Sequence, residues 1–206
     1  MSQADAQSQM LNVPNALTAA RLVLSIIVFV LIPLQFYVPA LIMFLITAST
    51  DWIDGFWARK YGQVTQFGRI FDPFADKFAI CGTFIFLSAE AGSGIPAWMS
   101  VVVVGRELLV TALRSFLEQQ GADFSASWSG KLKMGFQCAA VVASLIALHL
   151  SGGVDGESQT FWYGSASNLK DDWLYLPLFV CVWLAVVSTV QSGVGYIFRA
   201  VELLRQ

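Results

Sequence analysis

The sequence is poor in charge. Asp, Glu, Lys and Arg make up 13% of its 206 residues, about half the roughly 25% usual in globular domains. Hydrophobic residues reach 56%, and the mean hydropathy is +0.64. A soluble domain of this length needs more charge to stay dispersed, so the composition points to a membrane protein. Positive charge is short as well. The 12 Lys and Arg stand against 14 Asp and Glu, and a net charge of -2 gives no bulk attraction to nucleic acid. Histidine is nearly missing: His149 stands alone near the end of an apolar run and reads as structural. Cys81, Cys138 and Cys181 lie far apart inside apolar runs, which excludes metal-ligand spacing and a disulfide framework. They read as small core residues. The first ten residues, MSQADAQSQM, hold no Lys or Arg. They lack the basic start of a secretory signal peptide, and no cleavage is expected.

What the sequence does have is apolar length. A helix needs roughly 20 apolar residues to cross the hydrocarbon. Runs near that length fall at 15–35, 39–60, 72–91, 96–118, 130–150 and 174–198. The expected fold is all-α, a polytopic membrane protein of six transmembrane helices. It forms a single domain over 1–206 with a polar tail at 1–12. Turn chemistry marks the breaks: Pro33 and Pro39, then Gly92-Ser93-Gly94 with Pro96, then Gly121 to Gly130. The longest connection, 151–173, is polar, with Trp162, Tyr163 and Trp173 as interfacial aromatics. Arg59, Lys60 and Arg69 lie between helices two and three, Lys131 and Lys133 near the four–five connection, and Arg199 and Arg205 at the end. The opposite connections carry only Lys170 among several acids. By the positive-inside rule both termini are cytoplasmic, in keeping with an even helix count.

The strongest local signal is DWIDGFWARKYGQVTQFGRIFDPFAD at 51–76. Asp51 and Asp54 are spaced i, i+3, and Asp72 and Asp76 are spaced i, i+4. At about 100° per residue, Asp51, Asp54, Gly55 and Ala58 share one helix face, as do Asp72 and Asp76. A loop near 61–71 would let the two helices lie antiparallel and the four carboxylates converge. Carboxylates near lipid are costly unless paired or metal-bound. Salt bridges to Arg59, Arg69 and Lys77 would suffice for a single D-x-x-D, but not for the full spacing. Hard divalent cations with oxygen ligands, Mg²⁺ or Mn²⁺, resolve the repulsion, and two of them can clamp a pyrophosphate. Gly55 and Ala58 leave room for a flat ligand against the backbone, and Arg59 can meet a phosphate.

This segment resembles the CDP-alcohol phosphotransferase family, whose signature reads D-x-x-D-G-x-x-A-R, a short spacer, then G-x-x-x-D-x-x-x-D. Asp51, Asp54, Gly55, Ala58, Arg59, Gly68, Asp72 and Asp76 meet it without departure. The resemblance implies a six-helix membrane core, usually homodimeric, two divalent cations, a CDP-linked donor and CMP as leaving group. It makes Asp51, Asp54 and Asp72 ligands of the first metal, and Asp76 a second-metal ligand and the catalytic base. It also assigns Gly55, Ala58, Arg59 and Gly68 to the donor site.

Helix four holds a second oddity. Arg106 and Glu107 follow four valines, about 15 Å along the helix from Pro96. Intramembrane ionisable residues are functional candidates. Arg106 either pairs with a Glu to fix helix packing or, with Arg114 and one or both of Lys131 and Lys133, binds an acceptor phosphate. NVPNALTAARLVLS at 12–25, GRELLVTALR at 105–114 and SWSGKLKM at 127–134 are similar to the bacterial phosphatidylglycerophosphate synthases within that family. That likeness implies CDP-diacylglycerol as donor, sn-glycerol 3-phosphate as acceptor, and a bacterial cytoplasmic membrane with the active site facing the cytoplasm. It sets Asn15 and Thr18 near the donor pyrophosphate. Inositol phosphate, serine or phosphatidylglycerol are the alternative acceptors. A divalent-cation transporter is the alternative class, which the clustering of the aspartates at one membrane face disfavours.

The orientation is directly testable. A cysteine introduced in 151–173 is expected to react with an impermeant thiol reagent added outside intact cells, and one at 61–67 is not. The reverse labelling would overturn the topology.

Overall fold

The structure is a computed structural model. It describes the backbone of residues 13–61, 66–119, 128–150 and 172–204, and the side chains of 18–50, 74–75, 77–117, 132–150 and 176–202. Among the described residues every regular element is an α-helix: α1 (Val13–Leu31), α2 (Tyr37–Tyr61), α3 (Gln66–Ala89), α4 (Ala97–Gln119), α5 (Trp128–Leu150) and α6 (Asp172–Leu204). The polar tail at 1–12, the Gly121 to Gly130 break up to residue 127 and the aromatic loop up to residue 171 lie outside the described residues.

Most helix bounds fall within a few residues of the sequence expectation. The exception is the second connection. α3 begins at Gln66, so the loop expected at 61–71 shrinks to 62–65 and Asp72 and Asp76 move from the helix start into its second and third turns. The physical reason is the spacing of Phe67, Ile70, Phe71 and Phe74, an i, i+3, i+4, i+7 stripe that carries an apolar face back to Gln66.

The described turns close as their chemistry demands. Phe36 N donates to Leu31 O at 3.0 Å and Gln35 N to Ile32 O at 2.9 Å. Gln35 takes φ 61°. That is a Schellman ending of α1 with a non-glycine residue in the left-handed position. Pro39 sits in the first turn of α2, where its missing N–H costs nothing. Between α3 and α4, Gly92 and Gly94 take φ 89° and 70°. Gly94 also lies so close to Leu178 that a Cβ would stand 2.9 Å from Leu178 Cδ2.

The helices group into two compact units divided between Phe86 and Leu87. In the first, α1 packs on α2, burying Val28, Ile32, Ala40 and Phe44. Phe29 lies between Phe78 at 5.3 Å, edge-on, and Phe86 at 5.2 Å, stacked. Gly82 makes that seat possible, because a Cβ there would come within 2.1 Å of Phe29 Cζ. In the second unit, α6 packs against both α4 and α5. Trp98 meets Trp183, Arg106 meets Ser192, and Leu117 packs with Ala200. Residue numbers rise together, so α4 and α6 run parallel, as alternate helices of an up-and-down bundle do.

Outward faces are apolar. Val23, Ile26 and Val30 on α1 and Val187, Val190, Val194 and Phe198 on α6 are all exposed. Apolar faces of this extent suit hydrocarbon rather than water. Leu132–Leu150 and Leu176–Glu202 are long and apolar enough to cross a membrane, and Thr18–Leu31, Tyr37–Thr50 and Lys77–Ala89 are shorter apolar helices. Hydroxyls inside these helices bond back along them: Ser25 Oγ donates to Arg21 O, Thr47 Oγ1 to Met43 O and Thr83 Oγ1 to Ala79 O. No water is needed to satisfy them.

Gly82→Ala is expected to force Phe29 from between its two ring neighbours and cost about 1–3 kcal/mol despite alanine's better helix propensity. Thermal unfolding in detergent checks it. Adding Phe29→Leu should recover part of the loss, and an unchanged midpoint for Gly82→Ala would refute the close seat.

Candidate functional site

The second unit holds a buried polar cluster where α4, α5 and α6 meet. Glu107 on α4 is 4% exposed and Lys133 on α5 is 5% exposed. Their side chains form a direct ion pair, Lys133 Nζ donating to Glu107 Oε1. Gln137 lies one turn beyond Lys133. Its Nε2 donates to Glu107 Oε1 at 3.3 Å and to Thr189 Oγ1 on α6 at 3.2 Å. An amide nitrogen has two hydrogens, so both bonds can be filled. Glu107 Oε2 receives Arg106 NH1 at 3.5 Å, a long contact. Arg106 NH2 donates to Ser192 Oγ at 2.6 Å, and its guanidinium lies 5.5 Å over the Tyr196 ring.

The cluster lies inside the length of all three helices. Arg106 lies about 20 Å from the end of α4 at Gln119, Lys133 about 8 Å from the start of α5, and Ser192 about 18 Å from the end of α6. These ends are the ones the charge pattern places on the cytoplasmic side. Both side chains are buried within the protein, so removal of one partner from the Glu107–Lys133 pair would leave a bare charge, at about 3–5 kcal/mol.

α6 is shaped to receive Arg106. Thr189, Ser192, Gly193 and Tyr196 are spaced i, i+3, i+4, i+7 and form one stripe. A Cβ on Gly193 would stand 3.1 Å from Arg106 Cγ, so the bare backbone lets the arginine stem lie against it. The sequence reading missed Gln137, Thr189, Ser192, Gly193 and Tyr196. Their signal was available: a polar stripe at helical spacing inside an otherwise apolar run.

The other expected acceptor residues sit nearby in sequence. Arg114 is exposed, two turns along α4 from Arg106, and Lys131 is in the first turn of α5 with its side chain outside the described residues.

The aspartates belong to the first unit. Asp51, Asp54, Gly55, Ala58 and Arg59 are in the last turns of α2, and Gly68, Asp72 and Asp76 are in the opening turns of α3. Their side chains, and that of Asn15 in the first turn of α1, lie outside the described residues. The backbone alone sets their levels. Counted from the connection, Asp54 and Asp51 lie about 10 and 15 Å back along α2, and Asp72 and Asp76 about 9 and 15 Å along α3. The two pairs therefore lie at similar distances from the connection. A connection of four residues holds the helix ends within roughly 18 Å of each other. Four carboxylates form an all-oxygen donor set, the kind that hard divalent cations take. On α1, Thr18 and Arg21 are buried at 5% and 3% exposure, on one face with Ser25.

Comparison with known proteins agrees with these features. The sequence pattern of the CDP-alcohol phosphatidyltransferase family matches residues 11–191. The CDP-diacylglycerol–glycerol-3-phosphate 3-phosphatidyltransferase of Bacillus subtilis is 32% identical, over 95% of this chain and 98% of its own. A probable phosphatidylglycerophosphate synthase of Mycobacterium tuberculosis is 35% identical, over 95% of this chain and 85% of its own. The Escherichia coli CDP-diacylglycerol–glycerol-3-phosphate 3-phosphatidyltransferase is 34% identical over 63% of this chain and 74% of its own. With the family pattern covering most of its length, this chain belongs to the CDP-alcohol phosphatidyltransferase family, a family of transferases.

Proposed function

We propose that the chain transfers a phosphatidyl group from CDP-diacylglycerol to sn-glycerol 3-phosphate, giving phosphatidylglycerophosphate and CMP. Relatives matched over nearly its whole length bear that activity in their names. The observation that carries the acceptor is the buried Arg106–Glu107–Lys133 cluster. Among the described residues two cations share one carboxylate, and Arg106 is the more distant of the two. Arg106 Nε is buried and has no hydrogen-bond partner among the described residues. A phosphate-bearing acceptor supplies an anion and an acceptor atom for that N–H. Serine brings no phosphate.

In this reading the acceptor hydroxyl attacks the lipid-side phosphorus and the bond to CMP breaks, the electron pair leaving with CMP. Asp76 takes the hydroxyl proton. Asp51, Asp54, Asp72 and Asp76 are the groups that would hold two divalent cations, Mg²⁺ or Mn²⁺. Such ions, when bound, neutralise the pyrophosphate and offset charge that develops during displacement. Gly55 and Ala58, on the helix face of Asp51 and Asp54, leave space for the cytidine. Arg59 and Gly68, with Asn15 and Thr18 on α1, complete the donor side. Arg106 binds the acceptor phosphate, and Arg114, Lys131 and Lys133 add positive charge around it. Six spans, cytoplasmic termini and a homodimer in the bacterial cytoplasmic membrane complete the proposal. The parallel run of α4 and α6 supports an alternating topology.

CMP release from CDP-diacylglycerol should be rapid with sn-glycerol 3-phosphate and slight with serine, inositol phosphate or phosphatidylglycerol. Equal turnover with serine would remove the phosphate argument. Arg106→Ala should lower kcat/KM for glycerol phosphate roughly 100-fold, about 3 kcal/mol, with donor binding near normal. Lysine at that position should rescue only in part, because an ammonium lacks the guanidinium fork. Chelation by EDTA should abolish turnover and Mg²⁺ or Mn²⁺ restore it. Asn in place of Asp51, Asp54 or Asp72 should each cost orders of magnitude, and full activity in metal-free buffer would end the metal reading.

A further inference from the structure

We propose that Glu107 is a positioning residue of the acceptor site: it holds Arg106 and Lys133 together before any anion arrives, and it decides which of the two keeps the surplus charge. The proposal rests on the reading that the acceptor phosphate binds Arg106.

Glu107 is a residue without freedom. One oxygen takes Lys133 Nζ and Gln137 Nε2, and the other takes Arg106 NH1. Gln137 is 1% exposed and Thr189 is fully buried, and the amide links the carboxylate to α6 through that hydroxyl. The carboxylate is thus fixed from α5 directly and from α6 through the amide. Its hold on the two cations is unequal. Lys133 is in direct contact, whereas Arg106 stands off at 3.5 Å. Lys133 is the cation that Glu107 compensates, and the unmatched charge stays on Arg106. Ser192 and Tyr196 then aim the guanidinium, and Gly193 admits its stem. Without the carboxylate, two like charges would share a space that water does not screen, and the arginine would lose its place relative to the lysine.

A purely structural carboxylate would act differently, and three variants separate the cases. Glu107→Gln should raise the KM for sn-glycerol 3-phosphate roughly tenfold or more, as misplacement of a binding group does. It should leave the KM for CDP-diacylglycerol within about twofold and lower the thermal midpoint in detergent. The exchange E107Q/Q137E returns a carboxylate to the cluster at i, i+4 from Lys133, on α5 instead of α4. It should restore the thermal midpoint but not the acceptor KM, since the charge is matched again while Arg106 loses its contact. Glu107→Asp keeps charge and fold and draws the carboxylate back by one methylene, so it should raise the acceptor KM on its own. Recovery of the acceptor KM by E107Q/Q137E would reduce Glu107 to charge compensation and overturn the proposal. An unchanged acceptor KM in Glu107→Asp would overturn it even if the other two variants fail to fold. If Arg106→Ala raises the acceptor KM and the Glu107 variants do not, only this proposal falls. If Arg106→Ala leaves it unchanged, the acceptor reading beneath it falls.

Discussion

A carboxylate that water cannot reach must find its partners inside the protein, and Glu107 shows how far that requirement extends. Its charge needs a cation, so Lys133 must be delivered from α5 at the right level. Its remaining lone pairs need donors, so Gln137 and Arg106 are drawn in. The amide of Gln137 then needs a second acceptor and finds Thr189 on α6. One buried group thereby fixes the rotation and the axial register of three helices. Apolar packing between helices in lipid is weakly directional, because hydrocarbon solvates leucine as well as another leucine does. In the second unit, polar contacts carry the register.

The first unit reaches order by another route. In it, Phe29 is held between Phe78 and Phe86 over the bare backbone of Gly82. Shape sets the register there, through a ring that fits only where a Cβ is missing. The aspartates ride on the two helices that a four-residue connection joins. The early start of α3 puts Asp72 and Asp76 at distances from that connection similar to those of Asp54 and Asp51. Had α3 begun at residue 72, the second pair would lie at the helix end while the first lay two to three turns in.

The division of labour fits the chemistry proposed. In that proposal the aspartate signature would supply hard oxygen donors for the divalent cations of the donor side. Among its described residues the second unit provides a cluster of two cations on one carboxylate. In that proposal an anionic acceptor would complete the balance. The exposed valines and phenylalanine of α1 and α6 turn apolar surface outward, which suits hydrocarbon rather than water.

Several features needed only the sequence. Low charge and long apolar runs determined an all-helical chain, because in hydrocarbon a backbone must satisfy its own hydrogen bonds. Gly92, Gly94 and Pro96 marked a break that the structure contains, since positive φ and a missing N–H are properties of single residues. The family was equally legible, because its signature lies in spacing along one stretch of chain. Other features needed three dimensions. The start of α3 was misread because the 61–71 stretch looked like a loop, while its apolar residues at helical spacing continue the helix back to Gln66. Arg106 and Glu107 were visible as buried charges, but their partners were not. Gln137, Thr189 and Ser192 lie 30, 82 and 85 residues from Glu107 in the chain. Nothing local marks a glutamine or a threonine as the partner of a distant carboxylate. Only the packing of α4, α5 and α6 brings them within hydrogen-bond range, and only there does a count of charges become a site.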